Sequence, residues 1–277
     1  KGGPGGGSSK DEKWHDFYAF NATKISQFPL VTEYPIDLAR RLDILSGQLV
    51  AILPAAHFFG AKRAVGLPTR QALDLARTQA ESIRRQMVAW QEELDWHAYG
   101  LYGVLPTGVD ARAVTHTSPP EVNPGERAFE IVLARRVNAG MLETRWFEWL
   151  GIEPVTEIPV RWSAGYREVV QRRIDLIERN RNIALIESMG CKRRWEWPAW
   201  ADLERSALRN WLLERLEAPA LWPASADQPA QLSSSSRLAE AVARDADFMH
   251  IAALYAGHPN FDAPQLVAEL VASESVP

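Results

Sequence analysis

"TRQALDLARTQAESIRRQMVAWQEELDWHAYGLYG", residues 69–103, decides the fold. In it Leu73, Ala76, Ala80, Ile83, Met87, Trp90, Leu94, His97 and Leu101 follow one another at alternating steps of three and four. That spacing puts them on one face of an α-helix. Thr69, after Pro68, can cap its start. Gly100 and Gly103 end it, with Tyr99 and Tyr102 packed over the end. On this reading Glu92, Glu93 and Asp95 lie mostly off the stripe, as a solvated flank. His97 lies on it, where a packed, hydrogen-bonded histidine is expected rather than a ligand.

A second stripe lies upstream, in "YPIDLARRLDILSGQLVAIL". Leu38, Leu42, Leu45, Leu49 and Ile52 give a heptad-like helix over about residues 36–53, weakened at Gly47. Two such helices joined by a loop predict a long antiparallel hairpin. Downstream, Pro106, Pro119, Pro120 and Pro124 mark a loop. "NPGE", residues 123–126, reads as a helix start capped by Asn123, with Pro124 at the first position and Glu126 closing a capping box. Phe129, Val132, Leu133 and Val137 supply that helix with a buried face, and Gly140 stops it. Ser163 caps a further helix with Tyr166, Val169, Val170, Arg173, Ile174 and Ile177 on one face. Helices are also expected at about 201–217, 236–256 and 263–272. "NIALIE" is an apolar run of either type. "EPVTEIPVRW" and residues 14–30 read as extended or strand-like.

The fold class is therefore mainly α with a few short strands: a long helical hairpin acting as a spacer, then a smaller helical module. By composition the chain divides into a flexible linker at 1–13, a spacer at 14–105, a proline-rich linker at 106–123, a basic module at 124–217 and an acidic helical tail at 218–277. The opening "KGGPGGGSSK" is a linker by composition, which hints at something upstream.

The 277 residues carry a net charge of −4, which argues against a surface that coats nucleic acid throughout. The charge is uneven. Residues 161–215 hold 12 Lys/Arg against 8 Asp/Glu, whereas residues 217–277 hold 2 against 8. A basic middle is compatible with one face turned to nucleic acid. The single cysteine, Cys191, excludes a disulfide framework and a multi-cysteine metal site, and suits the cytoplasm. No stretch is long and apolar enough to predict a membrane span.

Signatures of catalysis are missing. No phosphate-binding loop, dinucleotide loop, nucleophile elbow or zinc-helix motif occurs, and the six histidines lack ligand spacing. "SPPE", residues 118–121, approaches the four-residue motif with which amino-methyltransferases hold a flipped base. Glu121 stands where that motif needs an aromatic. No catalytic residue and no metal site is expected. What remains is "CKRRWEWPAW", residues 191–200, which sets Lys192, Arg193 and Arg194 beside Trp195 and Trp197, and "RRIDLIERNRN", which adds Arg172, Arg173, Arg179 and Arg181. Cations suit phosphates and indole faces suit bases. These nine residues are the candidate DNA contacts.

"RRQMVAWQEELDWHAYGLYGVL" resembles a phrase found beyond the catalytic domain of single-chain DNA methyltransferases. With "FYAFNATKISQFPL", "PIDLARRLD", "PGERAFEIVLARR", "RWFEWLG", "EIPVRW", "ERNRNIALIE", "KRRWEW" and "ALRNWLLERLE", the series spans about residues 17–217. As a series it is similar to the C-terminal region of adenine-specific methyltransferases of BREX/Pgl-type phage-resistance systems. The resemblance implies a parent enzyme that moves methyl from S-adenosylmethionine to adenine in DNA, with the cofactor held by an upstream methyltransferase domain and not by this chain. The expected partners are double-stranded DNA, that upstream domain and other phage-defence proteins, with no membrane. The expected role is DNA binding and support of target recognition. The alternative is a protein-interaction module that docks other defence components. A stand-alone enzyme has the least support.

Overall fold

The structure, a computed structural model, describes residues 21–59, 66–222 and 234–272. Among these residues are twelve α-helices and no strand. The mainly helical class is borne out, and the expected short strands are not formed. In chain order the helices are α1 (Ala22–Ser26), α2 (Ile36–Ile52), α3 (Pro54–Phe59), α4 (Arg70–Leu101), α5 (Ala128–Asn138), α6 (Trp146–Leu150), α7 (Ala164–Arg179), α8 (Arg181–Ile186), α9 (Trp200–Leu216), α10 (Ser235–Val242), α11 (Ala246–Ala256) and α12 (Ala263–Ala272). No helix of the described residues is long and apolar enough to cross a membrane.

The strand-like readings fail for local reasons. Asn21 caps α1 by accepting from the Lys24 amide at 2.9 Å, so "NATKIS" coils instead of extending. The rest of the expected arm, residues 14–20, lies outside the described residues, as does the linker at 1–13. "EPVTEIPVRW" is irregular, because Pro154 and Pro159 each lack an amide for a ladder. "NIALIE" falls in α8, whose start is capped by Asn180. The α5 start is displaced. Asn123 and Glu126 do bond reciprocally, but as a turn, and the helix begins at Ala128, where the Glu130 carboxylate accepts the Arg127 amide at 3.3 Å. The breaker is Gly125, at φ +95°, where an added Cβ would stand 3.1 Å from the Glu153 carbonyl oxygen.

α4 forms as predicted, with Thr69 accepting from the Ala72 amide at 3.2 Å. Gly103, at φ +63°, closes it. α2 also forms as predicted, with Leu45 and Leu49 buried. It approaches α4 through long side chains: the Arg41 guanidinium lies 4.5 Å over the Trp90 ring. Helix pairs that approach closely among the described residues include α5 with α7, α7 with α8, α3 with α9, α9 with α11 and with α12, and α10 with α12.

Two compact units result, and neither is a continuous stretch of chain. The first comprises residues 1–47 and 82–196, and the second 48–81 and 197–277. The second is built on an ordinary apolar core, with Phe58, Leu208, Trp211, Leu212, Phe248, Ile251 and Val267 buried together. Charged contacts trim its edge, with Arg70 on Glu204 at 2.6 Å and Arg215 on Asp245 at 3.0 Å. The first unit is built differently and is described below.

Two glycines separate backbone demand from helix propensity. Gly125→Ala meets both a forbidding φ and the Glu153 carbonyl, and is expected to cost roughly 1–3 kcal/mol. Gly47→Ala, mid-helix with nothing within 4 Å, is expected to add about 0.5–1 kcal/mol. Urea unfolding of the two variants beside the parent chain checks both signs.

Candidate functional site

In the first unit the middle of α4 buries acid. Ala89, Glu92, Glu93 and Trp96 stand at helical spacing on one face, and all four are at most 2% exposed. The half-buried Trp90, Leu94 and His97 lie to one side of that face. This reverses the reading of Glu92 and Glu93 as a solvated flank. An ionised carboxylate is removed from water only if cations replace the water, and here they do.

The cations come from elsewhere in the same unit. Lys192 Nζ reaches Glu92 Oε1 at 2.8 Å, Asp95 Oδ2 at 2.7 Å and Glu187 Oε1 at 2.9 Å. The Tyr99 hydroxyl donates to the same Glu187 oxygen at 2.7 Å. Arg173 of α7 places Nη2 2.8 Å from Glu93 Oε2, donates Nε to the Val114 carbonyl at 2.8 Å and lies 5.4 Å from the Trp96 ring. Glu93 also accepts the His116 amide at 2.6 Å. Beside them, Arg127 and Glu130 form a two-point pair at 2.9 and 2.7 Å, with both side chains at most 1% exposed. Glu130 further accepts the Gly125 amide at 2.7 Å and the Trp146 indole at 3.2 Å.

Five carboxylates face three cations, and the imbalance falls on Glu92. Burial, only partly offset by Lys192, pushes its carboxyl up to about 7. Burial would strip the proton from Lys192, but Glu187, Glu92 and Asp95 outweigh it and hold the ammonium well above its ordinary range. Arg127 counters the burial of Glu130 and keeps that carboxyl below the usual value. These residues make a structural clamp. Glu93 also borders a cavity of about 260 Å³, lined with it by Arg41, Trp90, His97 and His116. No group of three or more metal-ligating side chains occurs among the described residues.

The expected DNA contacts divide accordingly. Lys192 and Arg173 are corrected: both are buried and ion-paired, and neither can reach a phosphate without breaking the clamp. Trp195 is corrected too, being 4% exposed beneath the Arg193 guanidinium at 4.4 Å. Arg172, Arg179, Arg181 and Arg193 are exposed, and Arg194 and Trp197 are half-exposed. Arg172 and Arg179 stand two turns apart on α7, and Arg181 opens α8. The 191–196 loop is held from below by Lys192 and Trp195 and by Arg127 Nη1, which donates to the Arg193 carbonyl at 2.8 Å. Arg193 is thereby presented outward on a fixed backbone. Trp149, in a short helix away from the basic runs, donates its indole N–H to Glu196 of this loop. Glu121 of "SPPE" pairs with Arg85 at 2.6 Å and accepts from the Ser82 hydroxyl, which accounts for it structurally.

Comparison with known proteins gives two matches. Residues 87–277 match the family model described as a domain of unknown function, DUF7008. The adenine-specific methyltransferase PglX of Streptomyces coelicolor is 44% identical over 265 residues, which cover 95% of this chain and 21% of that relative. The chain thus spans about a fifth of the length of the curated relative it matches. The resemblance to the C-terminal region of BREX/Pgl-type adenine-specific methyltransferases is borne out. No solved structure matches.

The clamp makes opposite predictions for its members. Lys192→Met leaves three carboxylates facing one another and is expected to cost about 3–5 kcal/mol. Glu92 is harder to ionise in the folded chain than in the unfolded one. The folded chain therefore binds the extra proton, and stability from this group falls as pH rises from the ordinary 4.5 to about 7. Glu92→Gln is expected to be the more stable chain at pH 8, by on the order of 1–3 kcal/mol, and to converge on the parent below about pH 4.5. Denaturant unfolding at several pH values decides it; a variant weaker than the parent at pH 8 contradicts the assignment.

Proposed function

We propose, from the premise that this chain belongs to the DUF7008 family, that it is the DNA-facing, non-catalytic C-terminal region of an adenine-specific DNA methyltransferase acting in phage defence. The observation that carries this is the 44% identity to PglX across 95% of the chain. In this reading S-adenosylmethionine and the methyl transfer belong to an upstream domain, and the whole enzyme works in the cytoplasm. The chain's own task is to hold duplex DNA and support the choice of target.

The exposed cations support the DNA-facing role. Arg172, Arg179 and Arg181 lie on adjoining helices, and Arg193 and Arg194 on a loop whose backbone is fixed by buried partners. A cation on a fixed backbone loses less conformational freedom when it meets a phosphate than one on a free arm. Buried Lys192 and Arg173 serve this role indirectly, as the posts on which the loop and α7 are mounted.

A second reading, a module that docks partner proteins, is favoured by one observation. Ile25, Phe28, Leu30 and Tyr34 expose more than half of their surface within ten residues. Clustered apolar exposure of this kind suits a protein surface better than a phosphate backbone.

Fluorescence anisotropy with a labelled duplex over a salt series separates the readings. Binding is expected to weaken steeply with salt. The double variant Arg193→Glu, Arg194→Glu should bind more weakly and with a log–log salt slope shallower by about 2, one counterion term per phosphate lost. Unchanged affinity in that variant removes the loop from the interface; no duplex binding at low salt favours the docking module.

A further inference from the structure

One edge of the clamp borders open space. Trp90, Glu93 and His97, at steps of three and four on α4, line the cavity of about 260 Å³, with Leu38 and Arg41 of α2 and His116 around it. Arg41 is exposed and Glu93 is 1% exposed, so the cavity leads from a cation at its mouth to an acid at its floor. Ligand pockets start at roughly 300 Å³, so this one suits a small molecule.

Three lining groups are set to meet a ligand. Glu93 Oε2 lies 2.8 Å from Arg173 and accepts the His116 amide, whereas Oε1 is buried and accepts no hydrogen bond. Such an oxygen is costly inside a protein, and a ligand N–H relieves the cost. His116 Nδ1 accepts the Ser118 amide at 3.1 Å, so the ring proton stands on Nε2 and makes that atom a donor. Tyr166, edge-on to the imidazole at 5.4 Å, sets its orientation. The Arg41 guanidinium is placed by the Trp90 ring, 4.5 Å away.

An acceptor and a donor at the inner end and a cation at the outer end match the parts of one nucleotide. An amino-bearing base such as adenine sets an N–H beside a ring-nitrogen acceptor, and the phosphate is an anion suited to a guanidinium. We propose that this cavity binds a nucleoside monophosphate unit with an amino-bearing base: the base edge meets Glu93 Oε1 and His116 Nε2, and the phosphate meets Arg41. The choice of a nucleotide rests on the DNA-facing reading given above. Two sources share this chemistry, a free mononucleotide and an unpaired nucleotide of a DNA strand.

The test titrates the full 277-residue chain in a calorimeter with adenosine monophosphate, uridine monophosphate and adenosine, and with two single strands, all-thymine and all-thymine with one central adenine. Adenosine monophosphate is expected to bind roughly 5- to 100-fold more tightly than uridine monophosphate, because uracil exchanges the donor and acceptor that Glu93 and His116 meet. Adenosine should bind roughly 2- to 5-fold more weakly than its monophosphate, the worth of one exposed ion pair. Arg41→Gln should erase that difference and leave adenosine binding unchanged. Leu38→Trp fills the cavity from a half-buried position outside the clamp and should abolish binding of all of them. A preference for the adenine-bearing strand that Leu38→Trp removes identifies a DNA strand as the source. Binding of adenosine monophosphate without that preference identifies a free nucleotide. Equal affinity for the two monophosphates, or binding that neither variant changes, overturns the site. If no monophosphate binds and neither strand is preferred while the chain still binds labelled duplex in a salt-dependent way, the inference fails and the DNA-facing reading survives. If adenosine monophosphate binds as expected and no duplex binds at low salt, the site stands and the DNA-facing reading fails.

Discussion

The first unit depends on removing four carboxylates (Glu92, Glu93, Glu130 and Glu187) and three cations from water together, with half-buried Asp95 at the edge of the cluster. Each ion buried alone would cost several kcal/mol, so none of these side chains can be buried without its partners. Lys192 satisfies Glu92, Asp95 and Glu187 at once, Arg173 satisfies Glu93, and Arg127 satisfies Glu130. The partners sit on α4, α5, α7 and the segment after α8, far apart in the chain. An apolar core of the same size would tolerate sliding of one helix on another. A charge cluster does not, because a shift of an ångström leaves a buried ion unpaired.

That rigidity has a use at the surface. Lys192 and Trp195, three positions apart in a short loop, are buried, and exposed Arg193 and half-exposed Arg194 lie between them. The Arg127 guanidinium grips the loop backbone from within at the Arg193 carbonyl. The same division holds on α7, where Arg173 is buried in the clamp while its neighbour Arg172 is exposed and touches the Ala113 carbonyl and Glu168. Basic runs in this chain are thus mixed structures: some of each run holds the fold, and the rest is displayed by it. The second unit needs no such device, since its helices close over Phe58, Trp211 and Phe248.

Much of this was legible in advance. The periodicity of α2, α4, α7, α9 and α12 located those helices to within a residue or two, and Thr69 and Gly103 bound α4 and Ser163 opens α7 as caps should. Arg173 even fell on the apolar face of its helix, which was the sign that it is buried. The charged face of α4 was misread because apolar residues alone were used to draw the stripe. Beyond Met87 the buried line runs through Ala89, Glu92, Glu93 and Trp96, at helical spacing but half acidic. No rule of hydrophobic periodicity selects that line.

Residue order alone settles the helical class, the positions of the long helices and their caps, and the kinship with DUF7008, because these rest on local spacing and on ordered motifs. Which charges lie inside was settled only by the tertiary structure. Burial of an acid depends on a cation that can stand about a hundred residues away, as Lys192 stands from buried Glu92, and no local pattern carries that pairing. The exposed arginines and Trp149 are therefore known as a surface only once the clamp beneath them has been seen.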